Sequence, residues 1–314
     1  MIDINAVIES LDWSREPKGL YEPIGYALSS GGKRLRPQLA LLACRLFGGD
    51  ETKALPVALA LEVFHNFTLL HDDVMDRAAV RRGRPTVHVQ WNYNTAILSG
   101  DQMLIEAYRL LSEVEADQLP NLLCWFNEMA TGICEGQQYD VDFEQRDDVT
   151  IEEYIQMIRL KTSVLLANAL RSGAYIAGAD PQQQQCLYDW GIHVGLAFQI
   201  QDDMLDVYGD PNTFGKAIGG DICCNKKTYL LLTALQRAQG EDKKALMKWL
   251  GQLASQDKIQ AVTALYDKLG VRAVAEQAIR SHSEQAMALM ANLPHNEAAD
   301  QLNQLVKKLQ NRKS

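Results

Sequence analysis

The 314-residue chain lacks the marks of a secreted, membrane-spanning or nucleic-acid-binding protein. Its six cysteines include no CxxC pair, which argues against a disulfide framework and favours free thiols in a reducing compartment. Basic residues are fewer than acidic ones, 31 against 40, which gives a net charge of −9. Neither nucleic acid nor an anionic lipid surface is therefore expected as a general partner. The amino terminus has no basic segment followed by an apolar run, and the most apolar stretch, residues 55–64, is too short to span a bilayer. We therefore expect a cytoplasmic protein without stable membrane insertion.

Proline is also scarce, with nine residues, and no proline-rich, glycine-rich or low-complexity segment divides the chain. Apolar residues make up 47% of it, and their spacing is helical, with no convincing run of alternating strand residues. Helix starts are predicted at Thr150, with Glu153 three residues later, and at Asp180 before Pro181. Loops are predicted at Ser29–Arg34, Arg81–Pro85, Asp140–Asp148 and Gly209–Asp221. We expect one all-α domain over residues 1–314, built as a bundle of roughly ten or more helices.

Two acidic clusters are the first feature that composition does not explain. Each is a DDxxD sequence after an apolar, helix-forming stretch; the aspartates are Asp72, Asp73 and Asp76 in the first cluster and Asp202, Asp203 and Asp206 in the second. In each cluster the first and last aspartates are four residues apart, so they share one helix face and their like charges destabilise the bare helix. Carboxylate oxygens suit a hard cation, and Mg²⁺ is usually held by one or two carboxylates together with substrate phosphates. The pattern therefore predicts a diphosphate bound through Mg²⁺ between two facing helices.

Two other interpretations of the clusters are open. A single DDxxD sequence is often a solvated, acidic helix end, although two copies after apolar stretches are less typical of that. A di-iron helical bundle needs a Glu-x-x-His motif on each of two facing helices, and the sequence does not provide such a pair.

Basic residues flank the first cluster. Gly32 belongs to a glycine turn that opens into a helix, where Lys33 and Arg36, three residues apart, could grip one anion. Arg81 and Arg82 follow the cluster; adjacent side chains point in different directions and can serve two separate anions, and arginine matches phosphate oxygens well. Any one of these groups alone is more typical of a solvated surface, so the prediction depends on their placement around the aspartates.

His65 and three later lysines extend this basic set. At about 100° per residue, His65 projects within about 20° of Asp72 on the same helix face, which favours ligand binding over the usual role of a core histidine. The further basic groups lie before and after the second cluster and are Lys161, Lys216 and Lys226.

The order of these motifs resembles that of the trans-isoprenyl diphosphate synthases, or polyprenyl synthetases, of the short-chain type. Between residues 31 and 228 the matching segments are GGKRLRP, LLHDDVMD, RRGRPTVH, the pair Gly100-Asp101, KTS at Lys161, FQIQDDMLD, and FGK followed by GGDICCNKKTY. The resemblance implies antiparallel helices around a central cavity, the isoprenoid synthase type I fold, usually in a homodimer. It also implies the reaction: isopentenyl diphosphate is condensed with an allylic diphosphate (dimethylallyl, geranyl or farnesyl).

The same resemblance implies roles for single residues. Direct Mg²⁺ ligands would be Asp72, Asp76 and Asp202, assisted by Asp73, Asp203 and Asp206, with three Mg²⁺ ions on the allylic diphosphate. That diphosphate would also be held by Arg81, Lys161 and Lys216. The diphosphate of isopentenyl diphosphate would be held by Gly32, Lys33, Arg36, His65 and Arg82. The reacting carbons would face Thr162 and Gln199, next to Phe198 in the substrate site, and the site would be closed by Lys226 rather than Lys227.

Product length is predicted from the helical turns before Asp72, whose flank is formed by Phe64, Phe67, Thr68 and His71. In the family, a bulky residue at the position of Phe67 shortens the product. Thr68 is small, so this floor has one aromatic layer, and the cluster lacks the two-residue insertion of bacterial farnesyl diphosphate synthases. These features favour geranylgeranyl diphosphate, with farnesyl diphosphate as the alternative. Phe67 could instead pack only in the core, with another helix setting the limit.

Three competing functions remain. A terpene cyclase also ionises allylic diphosphates, but it has no dedicated isopentenyl diphosphate site of the kind that Lys33, Arg36 and Arg82 indicate. A non-catalytic subunit of a heteromeric synthase should have eroded acidic clusters, and both are intact here. A purely structural helical bundle accounts for neither feature.

Overall fold

The computed structural model describes residues 2–210 and 218–310, and within them the chain is all-α apart from one two-stranded hairpin. The helices are α1 (Ile4–Glu9), α2 (Lys18–Leu28), α3 (Leu35–Leu46), α4 (Glu51–Met75), α5 (Val87–Gln90), α6 (Tyr93–Leu111), α7 (Leu119–Glu144), α8 (Ile151–Ile158), α9 (Val164–Ile176), α10 (Pro181–Tyr208), α11 (Gly220–Cys223), α12 (Tyr229–Arg237), α13 (Gly240–Leu250), α14 (Gln256–Lys268), α15 (Val271–Met290) and α16 (Glu297–Gln310). The hairpin consists of β1 (Val80–Arg81) and β2 (Arg84–Pro85), and a π-helical segment at Arg159–Ser163 lies between α8 and α9. The all-α prediction is confirmed.

Residue contacts divide the chain into two compact units. The first unit comprises Met1–Phe126 and Asn168–Gln185, and the second comprises Asn127–Ala167 and Cys186–Ser314. The first unit therefore contains the first acidic cluster and the second unit contains the second cluster.

In the first unit α4 packs against both α3 and α6. Its side chains Ala58, Leu61 and Phe64 are almost fully buried. α4 is also the one helix in the described part of the chain that is long and apolar enough, by length and composition, to cross a bilayer. Most of its apolar stretch is buried inside the protein, as expected of a core helix, so these criteria carry little weight here.

A tight hairpin replaces the loop predicted at Arg81–Pro85. β1 and β2 are antiparallel, with Arg81 opposite Arg84. The two residues between them, Arg82 and Gly83, have φ angles of 53° and 75°, the left-handed conformation that two-residue hairpin turns require. The backbone of Arg82 is therefore held in a defined turn.

Both predicted helix starts are confirmed. At α8, Thr150 Oγ1 accepts from the Glu153 N–H at 3.2 Å, and the Glu153 carboxylate accepts from the Thr150 N–H at 2.9 Å. At α10, Asp180 Oδ1 accepts from the Gln183 N–H at 2.9 Å. These reciprocal bonds satisfy backbone donors that have no partner inside a helix.

The loop predicted at Asp140–Asp148 is wrong in its first part, because α7 continues to Glu144. Phe143 is buried near this end and packs against Tyr139, so the last turn of the helix is held by the core. Asp140 consequently projects from a helix.

Candidate active site

An arginine cluster forms beside the glycine turn of the first unit. Gly32 has a φ of +130°, and a Cβ there would lie 2.8 Å from the guanidinium group of Arg82, so the close approach of Arg82 requires glycine. Arg82 also donates from Nη1 to the carbonyl of Gly31. Lys33 is exposed immediately after the turn. The hairpin and the glycine turn, 50 residues apart in sequence, thus meet and bring together Gly32 and Arg82, whose shared role in binding one diphosphate stays a prediction.

A buried ion pair holds this turn in place. Arg34 Nη1 donates to Glu62 Oε1 at 2.7 Å, and Arg34 also donates to the carbonyl of Leu28. Asn66 Nδ2 donates to the same Glu62 oxygen at 3.0 Å. Removing one partner of such a buried pair typically costs about 3–5 kcal/mol, because the other charge is left without compensation. The sequence pattern did not predict this ion pair of Arg34 and Glu62, whose role is to stabilise the turn.

Arg36 and His65 complete the cluster. Burial lowers the pKa of Arg36 to about 10; Glu62 opposes this and the charge of Arg82 adds to it. Burial also lowers the pKa of His65 well below its ordinary value, and Arg36 and then Arg82 lower it further. The positive charges of Arg36 and Arg82 therefore repel each other, and an anion bound here would relieve that repulsion. This is the chemistry of a phosphate-binding site.

The first acidic cluster ends α4. The Asp76 N–H donates to the Asp72 carbonyl at 2.8 Å, so these two aspartates are one helical turn apart, as predicted. Asp72 is half-buried and Asp76 is exposed. Asp73 is buried, and Arg81 Nε donates to its Oδ1 at 2.7 Å. Burial raises the pKa of Asp73, while Arg81 opposes the shift. Asp73 therefore anchors the hairpin arginine.

Aromatic rings stack along the preceding turns of α4. The Phe67 ring centroid is 4.8 Å from that of His71 and 5.5 Å from that of Phe64. Phe64 in turn meets Phe126 edge-to-face at 5.2 Å. His71 lies directly over Gly100, where any side chain would collide with its ring, which explains the glycine of the Gly100-Asp101 motif. Thr68 is half-buried, and its hydroxyl donates to the His65 carbonyl at 2.8 Å.

In the second unit, Asp203 is buried, and both of its carboxylate oxygens accept hydrogen bonds. Its Oδ2 accepts from the Tyr154 hydroxyl at 2.5 Å and from the Tyr229 backbone N–H at 3.0 Å. Its Oδ1 lies 3.4 Å from Gln199 Nε2, which donates to it. Burial and then the charge of Asp221 raise the pKa of Asp203 to about 7, although the two bonds to Oδ2 oppose the shift. Tyr154 and Tyr229 were missed from the sequence, because neither lies near the cluster along the chain.

Asp206 organises the segment that follows the second cluster. Its Oδ2 accepts from the Asp221 N–H at 3.0 Å, and its carbonyl accepts from the Gly219 N–H at 2.6 Å. Asp202, one turn earlier on α10, is half-buried. These bonds favour the assisting role for Asp203 and Asp206, which stays a prediction, as does the direct role of Asp202.

The KTS motif lies in the π-helical segment. Lys161 Nζ donates to Asp140 Oδ2 at 2.7 Å, and Thr162 Oγ1 lies 3.3 Å from Gln199 Oε1, to which it donates. The structure thus brings together Thr162 and Gln199, the two residues expected to face the reacting carbons. Single π-helical turns inside α-helical runs occur frequently at functional sites.

Two glycines make room for this segment. A side chain on Gly136 would collide with the backbone of Lys161, and a Cβ on Gly195 would lie 2.5 Å from Ser163 Oγ. Because these two positions carry no side chain, the backbones of α7 and α10 can pack directly against the π-helical segment. No local sequence pattern predicts the turn, because it depends on these tertiary contacts.

Lysines of the second unit converge on Asp140. Burial alone would raise the pKa of Asp140, but the charges of Lys226 and Lys161 hold it below its ordinary value. The charge of Lys226 also acts on Asp203. Asp140 was missed as a site residue, since a single carboxylate near a helix end is usually a surface group.

The neighbouring lysine has a different partner. Lys227 Nζ lies 3.6 Å from Asp147 Oδ1. The charge that acts on Asp140 and Asp203 is that of Lys226. This favours Lys226 as the closing residue. Of the other predicted residues, Phe198 is half-buried on α10, and Lys216 lies outside the described residues.

Both acidic clusters offer oxygen donors that fit Mg²⁺. Among the described residues, no three carboxylate, histidine or cysteine side chains converge as a ready-made metal cage. Cysteine is no competitor, because every cysteine is a free thiol outside the clusters. Carboxylate oxygens without histidine or cysteine suit a hard cation that keeps several waters and is completed by a substrate diphosphate.

The family model of polyprenyl synthetases matches residues 17–269. The short chain isoprenyl diphosphate synthase of Methanothermobacter thermautotrophicus is 38% identical over 288 residues, which cover 91% of this chain and 88% of that protein. The geranylgeranyl diphosphate synthase of Methanosarcina mazei is 37% identical over 280 residues, covering 85% of this chain and 86% of that protein.

A crystal structure of a geranylgeranyl pyrophosphate synthase superposes with a TM-score of 0.92 and 44% sequence identity. The superposition covers 99% of this chain and 96% of that one. Fold, motif order and sequence identity therefore agree, and the chain belongs to the polyprenyl synthetase family.

Proposed function

We propose that the protein condenses isopentenyl diphosphate with an allylic diphosphate and releases geranylgeranyl diphosphate as its main product. The observation that carries the proposal is the group of basic residues at the glycine turn: Arg82 donates to Gly31 and lies against Gly32, and the charges of Arg36 and Arg82 act on His65. This cluster is an anion site additional to the two acidic sequences, and a synthase needs two diphosphate sites. A terpene cyclase would need one.

Different groups of residues bind the two substrates. Arg36, Arg82, His65 and Lys33 hold the diphosphate of isopentenyl diphosphate, which orients its double bond. Three Mg²⁺ ions on the acidic clusters, when bound, would neutralise charge on the departing pyrophosphate.

Lysines support the same departure. Lys161 and Lys226, both close to Asp140, supply fixed positive charge for the allylic diphosphate, as does Arg81 on the hairpin. The allylic C–O bond breaks, the double bond of isopentenyl diphosphate attacks the resulting cation, and a proton leaves to the released pyrophosphate. Thr162 and Gln199 lie beside the reacting carbons, and the surrounding apolar side chains exclude the water that would quench the cation.

The reaction is tested with purified protein, Mg²⁺, isopentenyl diphosphate and, separately, dimethylallyl, geranyl and farnesyl diphosphate. We expect a C20 product, detected by chromatography after dephosphorylation. A C15 or C25 main product would contradict the product assignment alone. Consumption of an allylic diphosphate without isopentenyl diphosphate would indicate a cyclase, and no transfer at all would contradict the proposal.

Arg82→Ala tests whether the two diphosphate sites are separate. Because a charge-assisted hydrogen bond contributes about 1.5–3 kcal/mol, we expect the KM for isopentenyl diphosphate to rise roughly 10- to 100-fold. The KM for the allylic partner should change little. Lys53→Ala, which removes an exposed cation of the same unit, is the matched control. Equal increases in both KM values would contradict the assignment.

A homodimer is part of the proposal, and α6 offers a surface for it. Leu98 and Ile105 are each 60% exposed and are seven residues apart, so they share one helix face. Tyr93 and Ile97 add exposed apolar area. Several exposed apolar side chains on one helix are typical of an interface, and here the occupant proposed is a second copy of the chain.

Leu98→Glu combined with Ile105→Glu should convert the dimer to a folded monomer, as measured by light scattering after size-exclusion chromatography. Leu253→Glu, at a residue 90% exposed in the second unit, is the control and should leave the dimer intact. A wild-type monomer, or a dimer that survives the double substitution, would rule out this interface.

Four further expectations remain part of the proposal. Residues 1–314 act as one domain, the enzyme is cytoplasmic, and it has no stable membrane insertion and no nucleic-acid partner. The net charge of −9 supports the absence of a nucleic-acid partner, and the free thiols support a reducing compartment.

A further inference from the structure

The segment of residues 219–226, here called the bridging segment, lies against the second acidic cluster. At its start, Gly219 and Asp221 donate backbone hydrogen bonds to Asp206 at 2.6 Å and 3.0 Å. At its end, the Lys226 N–H donates to the Asp221 carbonyl at 2.9 Å, and the Lys226 charge acts on Asp140. The position of Lys226 therefore depends on the backbone of this segment.

The bridging segment has a second set of contacts, to the corner between α13 and α14. Gly219 lies over Ile259: its φ is +82°, and a Cβ there would be 2.7 Å from Ile259 Cγ2. Asn225 Nδ2 donates to the carbonyl of Leu250, the last residue of α13, at 2.8 Å. Both contacts come from a part of the chain in which the sequence shows no recognisable chemistry.

Lys258, in the first turn of α14, is the third contact and the most unusual. Its side chain is completely buried, with 0% exposure. Its ammonium group donates to the carbonyl of Gln252 at 3.0 Å and lies 3.5 Å from the carbonyl of Cys223, to which it also donates. Lysine is almost never fully buried unless it is paired, so these acceptors need an explanation.

The explanation lies in where the two carbonyls are. Cys223 is the last residue of α11, and Gln252 lies two residues beyond the end of α13. Carbonyls at helix ends lack intrahelical partners, and a lysine can satisfy them while its charge complements the negative helix end. Lys258 thus fastens the end of α11, inside the bridging segment, to the end of α13.

We propose that Lys258 is a positioning residue for the prenyl-transfer reaction: it fixes the bridging segment and thereby Lys226 and Asp221 beside the second acidic cluster. The inference rests on the proposed function for its kinetic consequences. It assigns α13 and α14 a role in that function, because their contacts fix the backbone of the bridging segment.

Lys258→Met, which keeps the length of the side chain and removes its donors, tests the proposal. We expect the Mg²⁺ concentration for half-maximal activity and the KM for the allylic diphosphate to rise about tenfold, the effect typical of residues that orient metal ligands. The KM for isopentenyl diphosphate should stay within about twofold, because its site lies in the first unit. A general loss of stability would not separate the two KM values in this way.

Hydrogen–deuterium exchange gives a readout that does not depend on activity. Amides of residues 219–226 should exchange faster in Lys258→Met, while those of α8 should be unchanged. Lys248→Met, which removes an exposed cation near the end of α13, is the control and should behave as wild type. If Lys258→Met does not fold, Lys258→Gln, which shortens the side chain and removes its charge but keeps a polar group, is measured in the same way.

Unchanged exchange in residues 219–226, or kinetic constants that shift equally for both substrates, would overturn the proposal. A wild-type protein without prenyl transfer would instead contradict the proposed function, and the exchange experiment would still decide whether Lys258 holds the segment.

Discussion

Replacing Asp72 or Asp202 by alanine is expected to lower turnover by a factor on the order of 10³, the upper range for removing one preorganised group that stabilises developing charge. The fold should remain, because each aspartate shares a helix face with another one four residues later and its removal relieves repulsion. Both side chains are half-buried, so neither substitution opens a cavity in the core.

Circular dichroism and a steady-state turnover assay measure the two parts of this prediction. Asp147→Ala, at a side chain that is 100% exposed, removes the same charge without touching either cluster and is the matched control. Near-normal turnover in a folded Asp72→Ala or Asp202→Ala variant would refute the role of these carboxylates in binding Mg²⁺.

The middle aspartates should behave differently, and the structure gives the reason. Asp203 is buried and accepts bonds from Tyr154 and Tyr229, so its removal leaves buried donors without an acceptor. Asp73 likewise anchors Arg81. Loss of these residues therefore disturbs local structure as well as chemistry, and alanine variants at Asp72 and Asp202 are the cleaner test.

The helical fold and the spacing of the aspartates in each acidic cluster could be predicted from the sequence, because their signals are local. DDxxD after an apolar helix fixes the spacing of the carboxylates, and the capping box at Thr150 is contained in four residues. The arginine cluster could be predicted in part: the resemblance named Arg36, His65 and Arg82, but the buried pair of Arg34 and Glu62 that supports them joins residues 28 positions apart.

What escaped prediction depends on distant contacts. The π-helical segment needs Gly136 and Gly195 on two other helices. Lys258 serves helix ends that no pattern in its own neighbourhood reveals. The roles of these glycines and of Lys258 depend on residues that are distant in sequence and become neighbours only in the folded protein.

Phe67 is predicted to limit product length. It lies five residues, or about 7.5 Å along the helix axis, before Asp72. Its ring packs between those of His71 at 4.8 Å and Phe64 at 5.5 Å, and it is half-buried, whereas Phe64 is almost fully buried. If the product tail runs from Asp72 along α4, as the resemblance implies, Phe67 is the first phenylalanine ring that it would meet, with Phe64 and Phe126 behind it.

Phe67→Ala should lengthen the main product by at least one five-carbon unit, from C20 to C25 or beyond, since it removes one ring of the floor and leaves Phe64 as the next. Chromatography of the dephosphorylated products of wild type and variant, at equal conversion, is the measurement. Thr68→Ala is the matched control, because that position is already small and its hydroxyl bonds only to the helix backbone, so the product should stay the same. A Phe67→Ala enzyme that is active and keeps the wild-type product distribution would place Phe67 in core packing alone, and the limit on chain length would then belong to another helix.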